Sequence, residues 1–172
     1  MYVVVFLALA VSGAIVQLAR DRRPRTRGRI CEVFLTWWLG LGLGGSALFA
    51  AVGHLFLANE VAESIGWPTG SPFQREVGFA NLALGTIAVL SVWKRGGFRE
   101  AAMISMAIFL LGAAIGHIIE IVDTGNTAES NAGPILYTDI FAPLVSIGLL
   151  IGARREGRAQ PSDTVVIENA WQ

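Results

Sequence analysis

The sequence has 172 residues, of which 53% are hydrophobic and only 15% charged, and a further 20 are glycine. Charged residues make up about a quarter of an ordinary soluble domain, so this composition is a poor fit to a soluble protein. The 13 basic and 13 acidic residues cancel, so composition gives no reason to expect a nucleic-acid partner. The single cysteine, Cys31, excludes an intramolecular disulfide and a thiolate metal cluster.

The first predicted element is a membrane-spanning helix over residues 1–19, which carry no charged side chain. A helix of that length extends roughly 28 Å, close to the thickness of the hydrocarbon core of a bilayer. A cleaved signal peptide has basic residues before its apolar stretch, whereas here the basic loop of residues 20–29 follows it. We therefore expect this helix to stay attached, with its N-terminus outside the cell.

Residues 30–153 are predicted to form four further spans. Gly96-Gly97 and the segment from Asp123 to Asn126 supply turns between them. The predicted fold class is therefore all-α, a polytopic transmembrane bundle of five spans in which helices 2–5 form a four-helix core. Residues 154–172 are expected to be a polar cytoplasmic tail. The four later spans are predicted at about residues 30–58, 71–93, 101–122 and 135–153.

The start of the third span has a recognisable N-terminal pattern. Ser71 would be the N-cap, Pro72 the first helical residue and Gln74 the third, which is the arrangement of a capping box. Farther along the same span, Asn81 would lie in the middle of the membrane, where we expect its amide to bond a neighbouring helix. The sequence therefore predicts a defined start for this helix and a polar contact near its centre.

The distribution of basic residues predicts the orientation. Lysine and arginine prefer the cytoplasmic side of short loops. With the N-terminus outside, Arg75 is the one basic residue of the 13 that lies outside. The protein is therefore predicted to be a multi-pass protein of the inner cell membrane with a cytoplasmic C-terminus. The twelve basic residues placed inside are Arg20, Arg22, Arg23, Arg25, Arg27, Arg29, Lys94, Arg95, Arg99, Arg154, Arg155 and Arg158.

Small residues recur at a spacing of four along the predicted helices. In lipid, such pairs let two helix backbones approach closely, so we interpret them as packing seams of the bundle. The same faces could also join copies of the chain into a homo-oligomer or a membrane complex. The pairs are Gly40 with Gly44, Gly42 with Ser46, Gly112 with Gly116, and Gly148 with Gly152.

Ionisable side chains in the spans converge near the outer side. Such groups are costly in a bilayer, by roughly 2.5–3.5 kcal/mol each, so each needs a partner or a purpose. Imidazoles and carboxylates are common ligands of zinc, iron and manganese, and helix bundles hold such ions between facing helices. The sequence therefore predicts a site for a divalent transition metal, without predicting whether the metal serves catalysis, storage or sensing. Its ligands would be His54, Glu76, His117, Glu120 and Asp139.

Three other interpretations compete with a metal site. His54 and His117 could ligate one haem b on its two faces, although carboxylates are costly beside an apolar porphyrin. A proton or ion path is disfavoured because the inner halves of the helices carry only weakly polar groups. Finally, the polar residues could form a structural network, with pairs such as Arg75 with Glu76, or His117 with Asp139, in a structural or accessory membrane subunit.

Several strings of the sequence resemble a family of small multi-pass bacterial membrane proteins of unknown function. They are Ile65-Gly66-Trp67, the segment from Ser71 to Gly78 that contains a Ser-Pro-Phe-Gln-x-Glu motif, Asn81, and the segment from Gly116 to Glu120. The similarity covers roughly residues 33–152 and leaves out the first helix and the tail. It implies a four-helix core with Glu76, His117 and Glu120 as site residues, and no substrate.

Overall fold

The structure, a computed structural model, describes residues 2–159, with side chains described as far as residue 155. Every regular element in this part of the chain is helical. In chain order the elements are α1 (Tyr2–Arg20), α2 (Arg27–Trp37), a π-helical segment (Trp38–Gly45), α3 (Ser46–Phe56), α4 (Ala58–Ile65), α5 (Phe73–Leu90), α6 (Gly97–Thr124), α7 (Glu129–Ala132) and α8 (Pro134–Ala159).

Four stretches of the described chain are long and apolar enough to cross a membrane: Tyr2–Arg20, Arg27–Phe56, Gly97–Thr124 and Glu129–Arg155. They confirm that the described part of the chain contains helices compatible with a membrane, and they overlap the predicted spans 1, 2, 4 and 5. Helix α5, at the place of the predicted third span, is not in this set. Its first turns carry Gln74, Arg75 and Glu76, which lower its mean hydropathy.

The long helix Arg27–Phe56, built from α2, the π-helical segment and α3, packs against α8 with its first half and against α5 with its second. Helix α6 contacts both α5 and α8 and closes a ring of four helices. All four contribute to one apolar core, in which leucines of the long helix meet small and flexible side chains of the others. The core residues are Leu35, Leu39, Leu43, Ala47, Ala88, Met103, Met106 and Ala142.

Helix α1 lies outside this ring, against the long helix, and most of its surface faces outward. Its close contacts depend on glycine, because a Cβ at Gly13 would lie 2.5 Å from the Trp37 ring. The Nε1 of Trp37 donates a hydrogen bond of 2.6 Å to Oε1 of Gln17, which adds a polar link between the two helices. Helix α1 is therefore packed onto the bundle along most of its length.

The π-helical segment in the middle of the long helix was not predicted. A π turn widens the helix and commonly occurs as a local bulge. Here it coincides with Gly40, Gly42, Gly44 and Gly45, and a Cβ at Gly44 would lie 2.9 Å from Val89 of α5. The glycines let α5 approach the widened turn, a close packing that the sequence pattern does not specify.

The small-residue pairs divide into two groups. Gly42 faces α1, Gly44 faces α5, and Gly40 lies against Val92 just beyond the end of α5. Gly152 lies against Cys31, so these positions are seams within the chain. In contrast, a Cβ added at Gly112, Gly116 or Gly148 would meet nothing within 4 Å. The interpretation of all these pairs as seams of the bundle is therefore wrong for the three glycines in α6 and α8 that face outward. Within the described chain, no other helix packs closely against these three glycines.

The bundle has two chemically different ends. At one end Arg99 contacts the end of α5 and the start of the long helix, and Arg154 pairs with Glu100. At the other end the C-terminal turn of α3 meets the start of α5, and the C-terminal part of α6 meets α7 and α8. We call them the arginine end and the histidine end, and Arg75 is the basic residue of the histidine end.

Candidate functional site

Three polar side chains meet at the histidine end and are nearly inaccessible to solvent. His117 of α6 is 8% exposed, Asn131 of α7 is 0% exposed and Asp139 of α8 is 5% exposed. His117 Nδ1 lies 2.7 Å from Asn131 Oδ1, and His117 Nε2 lies 3.9 Å from Asp139 Oδ2. We call this group the His117 cluster, and it joins three helices at one point.

The bonds of Asn131 determine how the imidazole is oriented. Asn131 Nδ2 donates to the carbonyl oxygen of Asn126 at 2.8 Å and to that of His117 at 3.5 Å. The amide oxygen therefore faces the ring and accepts a hydrogen bond from Nδ1–H of His117. This leaves Nε2 directed at the Asp139 carboxylate, at a separation longer than a hydrogen bond.

The loop after α6 holds Asn131 in place. Gly125, in the left-handed region at φ 72°, ends α6 and reverses the chain, which confirms the predicted turn. Asn126 Nδ2 then donates to the carbonyl oxygen of Ile65 at the end of α4, at 2.9 Å, and its Oδ1 accepts from the Ala128 amide at 3.1 Å. Helix α4 thereby supports the segment that delivers Asn131.

His54 belongs to a separate pair. Its Nδ1 lies 2.5 Å from Oε1 of Gln74, which is 2% exposed on α5. The predicted capping box is therefore wrong in its second half, because the Gln74 side chain bonds a neighbouring helix instead of its own N-terminus. The Ser71 hydroxyl does accept the Phe73 amide at 3.3 Å, but the helix begins one residue later than predicted, with Pro72 and not Ser71 as its N-cap.

The other two predicted metal ligands are less enclosed. Glu76 is exposed on α5, while Glu120 is half-buried and lies one turn beyond His117 on α6. Within residues 2–155 no three side chains of the histidine, cysteine, aspartate or glutamate type are grouped closely enough to hold a metal. The structure thus brings together His117 and Asp139 out of the five predicted ligands.

The structure also tests the predicted polar pairs and the predicted contact of the Asn81 amide. The described side chains include the predicted His117–Asp139 pair but no ion pair between Arg75 and Glu76, both of which are exposed. Asn81 is buried, at 7% exposure, but its Nδ2 donates to the carbonyl oxygen of Val77 at 3.0 Å. The described bond of this amide is therefore within α5, not to a neighbouring helix as predicted.

The arginine end contains a second buried polar group, which was not predicted from the sequence. Arg99 is 3% exposed, and its Nε and Nη2 donate to the carbonyl oxygen of Ser91 at 3.0 and 2.9 Å. Its Nη1 donates to Oε1 of Glu32 at 2.7 Å, and Arg95 contacts the same oxygen at 3.0 Å. Glu32 within an apolar stretch was the one sequence feature that could have indicated a buried cation.

Comparison with known proteins places the chain at the level of a family. No curated protein and no solved structure matches it. A family model described as a family of unknown function, DUF6790, matches residues 1–159. The match includes α1, which the resemblance over residues 33–152 leaves out, so this helix is part of the shared domain and not an addition to it. Residues 1–159 cover most of the chain, and the protein therefore belongs to the DUF6790 family.

Proposed function

We propose that this integral membrane protein binds one divalent transition-metal ion at the histidine end, between His117 Nε2 and Asp139 Oδ2. The observation that carries the proposal is the facing arrangement of an oriented imidazole and a buried carboxylate, 3.9 Å apart, with no hydrogen bond between them. The proposal concerns binding of the ion and not its use in catalysis, storage or sensing, because no feature of the described chain specifies a substrate.

The geometry supports an ion in three respects. A metal-bound histidine usually donates its second ring N–H to an oxygen that fixes the ring, and Asn131 Oδ1 takes that place here. Zinc lies about 2.1 Å from both nitrogen and oxygen ligands, so two such bonds at the tetrahedral angle span about 3.4 Å, and an inward shift of about 0.5 Å would bring the observed separation of 3.9 Å to that value. Neutral imidazole together with carboxylate suits zinc, iron or manganese.

Additional ligands must complete the coordination shell. Glu120 is the nearest candidate along the chain, because it is half-buried and follows His117 by three residues on the same helix face. Water would occupy the remaining positions, as in sites that keep an open coordination position. The proposed site leaves out His54, whose ring is bonded to Gln74, and the exposed Glu76.

Elemental analysis of the protein purified in mild detergent tests the proposal. We expect close to one zinc, iron or manganese ion per chain, and loss of at least nine-tenths of it in His117→Ala and in Asp139→Asn. The matched control is His54→Ala, which removes the other histidine at the same end and is expected to retain the metal. A metal-free wild-type protein, or equal loss of metal in all three variants, would contradict the proposed site.

A second candidate function is that of a structural membrane subunit in which the His117 cluster only joins helices. It is favoured by the complete burial of Asn131, whose bonds link the α6–α7 loop to His117. In that case the wild-type protein contains no metal, and adding EDTA leaves its melting temperature unchanged. The metal proposal instead requires EDTA to lower the melting temperature of the wild-type protein and not that of His117→Ala.

We also propose that α5 is a fifth span and that the arginine end is cytoplasmic. Helix α5 packs between the long helix and α6, and its 18 residues extend about 27 Å. In this topology, twelve of the thirteen basic residues lie on one side of the membrane, in or next to the segments that join or follow the spans. The orientation also places the His117 cluster toward the outside of the inner cell membrane.

Cysteine labelling tests both parts of this topology. In a Cys31→Ser background, we expect an impermeant maleimide to label Ser71→Cys on intact spheroplasts, and Arg155→Cys only after permeabilisation. Both positions are exposed, at the histidine end and the arginine end respectively. Labelling of both from one side would show that α5 does not cross, since an odd number of crossings is needed to separate them. The reverse pattern would show the opposite orientation.

A further inference from the structure

We infer that a cleft at the arginine end binds the phosphate group of an anionic phospholipid through Arg95 and Arg154. The cleft has a volume of about 160 Å³ and is open on one side. It lies between the start of the long helix, the loop before α6, the first turn of α6 and residues 150–154 of α8. Its lining includes Arg95, Arg154, Glu32, Glu100, Leu150 and Ala153.

The charges that line the cleft favour an anion. Arg99 also lines it, so three arginines face two glutamates and leave a surplus of one positive charge. Arg99 is committed to internal bonds, whereas the side chains of Arg95 and Arg154 are 62% and 50% exposed. Their ion pairs, to Glu32 and Glu100, are solvent-accessible pairs of the kind that contribute little to stability. A phosphate can therefore displace either carboxylate at small cost.

The surroundings of the cleft favour a lipid over a soluble anion. Leu150 and Ala153 give it an apolar wall that continues into the apolar part of α8. Trp93, two residues before Arg95, is 72% exposed, and exposed tryptophan is typical of the membrane–water boundary. An anionic phospholipid matches this combination, because its phosphate would meet the arginines while its glycerol and upper acyl chain contact the apolar wall.

Lipid binding to the detergent-purified full chain, measured by native mass spectrometry, tests the inference. We expect phosphatidylglycerol to bind tighter than phosphatidylcholine, and the double variant Arg95→Gln/Arg154→Gln to bind phosphatidylglycerol about 30-fold more weakly. That figure follows from roughly a fivefold gain in affinity for each basic side chain near a lipid headgroup. The matched control is Lys94→Gln/Arg155→Gln, which removes two charges from neighbouring positions outside the cleft and is expected to change affinity less than threefold.

A charge-freeing variant tests the same inference in the opposite direction. Glu100→Gln removes the carboxylate that pairs with Arg154, so we expect it to bind phosphatidylglycerol about fivefold more tightly. Equal weakening in the control double variant, or weaker binding by Glu100→Gln, would overturn the assignment of the cleft. Competition by millimolar inorganic phosphate as effective as that by the lipid would overturn the choice of a phospholipid.

Discussion

Replacing Arg99 by methionine is expected to lower the free energy of unfolding of the bundle by about 3 kcal/mol. The substitution removes the bonds that hold the end of α5, at Ser91, against the start of the long helix, at Glu32. Removing one member of a buried ion pair typically costs about 3–5 kcal/mol. The lower value applies because the Glu32 side chain is 32% exposed and keeps its contact with Arg95.

The measurement is thermal or denaturant unfolding in mild detergent, with Arg95→Met as the matched control. Arg95 contacts the same Glu32 oxygen but is 62% exposed, so its loss is expected to cost less than about 1 kcal/mol. Arg99→Lys should not restore stability, because an ammonium group cannot reproduce the two guanidinium bonds to one carbonyl oxygen. Equal losses in the free energy of unfolding for the Arg99 and Arg95 variants would show that the buried bonds of Arg99 add nothing to the stability of the bundle.

Replacing Gly85 by valine is expected to destabilise the bundle by about 1–3 kcal/mol, whereas Gly112→Val is expected to be close to neutral. A Cβ at Gly85 would lie 3.0 Å from the backbone nitrogen of Leu48 and 3.1 Å from the carbonyl oxygen of Gly44. Backbone atoms cannot rotate aside, so α5 would have to move away from the long helix. At Gly112 the same atom meets nothing within 4 Å.

Melting temperatures of the two glycine variants in the same detergent provide the comparison. Because both changes put valine in an apolar helix, intrinsic helix propensity affects them alike, and their difference reports the close approach of α5 to the long helix. A Gly112→Val protein that is as unstable as Gly85→Val would indicate that the outward face of α6 is also packed. Such a result would indicate that copies of the chain contact each other through this face in the detergent-solubilised protein.

The candidate site was predictable only in part. Counting residues from the helix ends places His117 and Asp139 at similar depths, and the structure does bring them together. The same count also selects His54 and Glu76, because depth does not specify which way a side chain points around its helix. Asn131, which holds the His117 ring, was missed because a neutral amide in a short helix has no distinctive local pattern, whereas Gln74 was assigned to a capping box and not to a bond with His54.

Local sequence patterns were sufficient to predict the helical elements of residues 2–159, the stretches able to cross a membrane, and the basic residues that flank those stretches. These properties follow from local hydropathy and helix length, which need no knowledge of neighbours. The packing of particular glycines, the place where the long helix widens and the burial of Arg99 became evident only from the three-dimensional arrangement of the helices. Those outcomes depend on the rotation and close approach of whole helices, which arise from the combined packing of residues far apart in the chain.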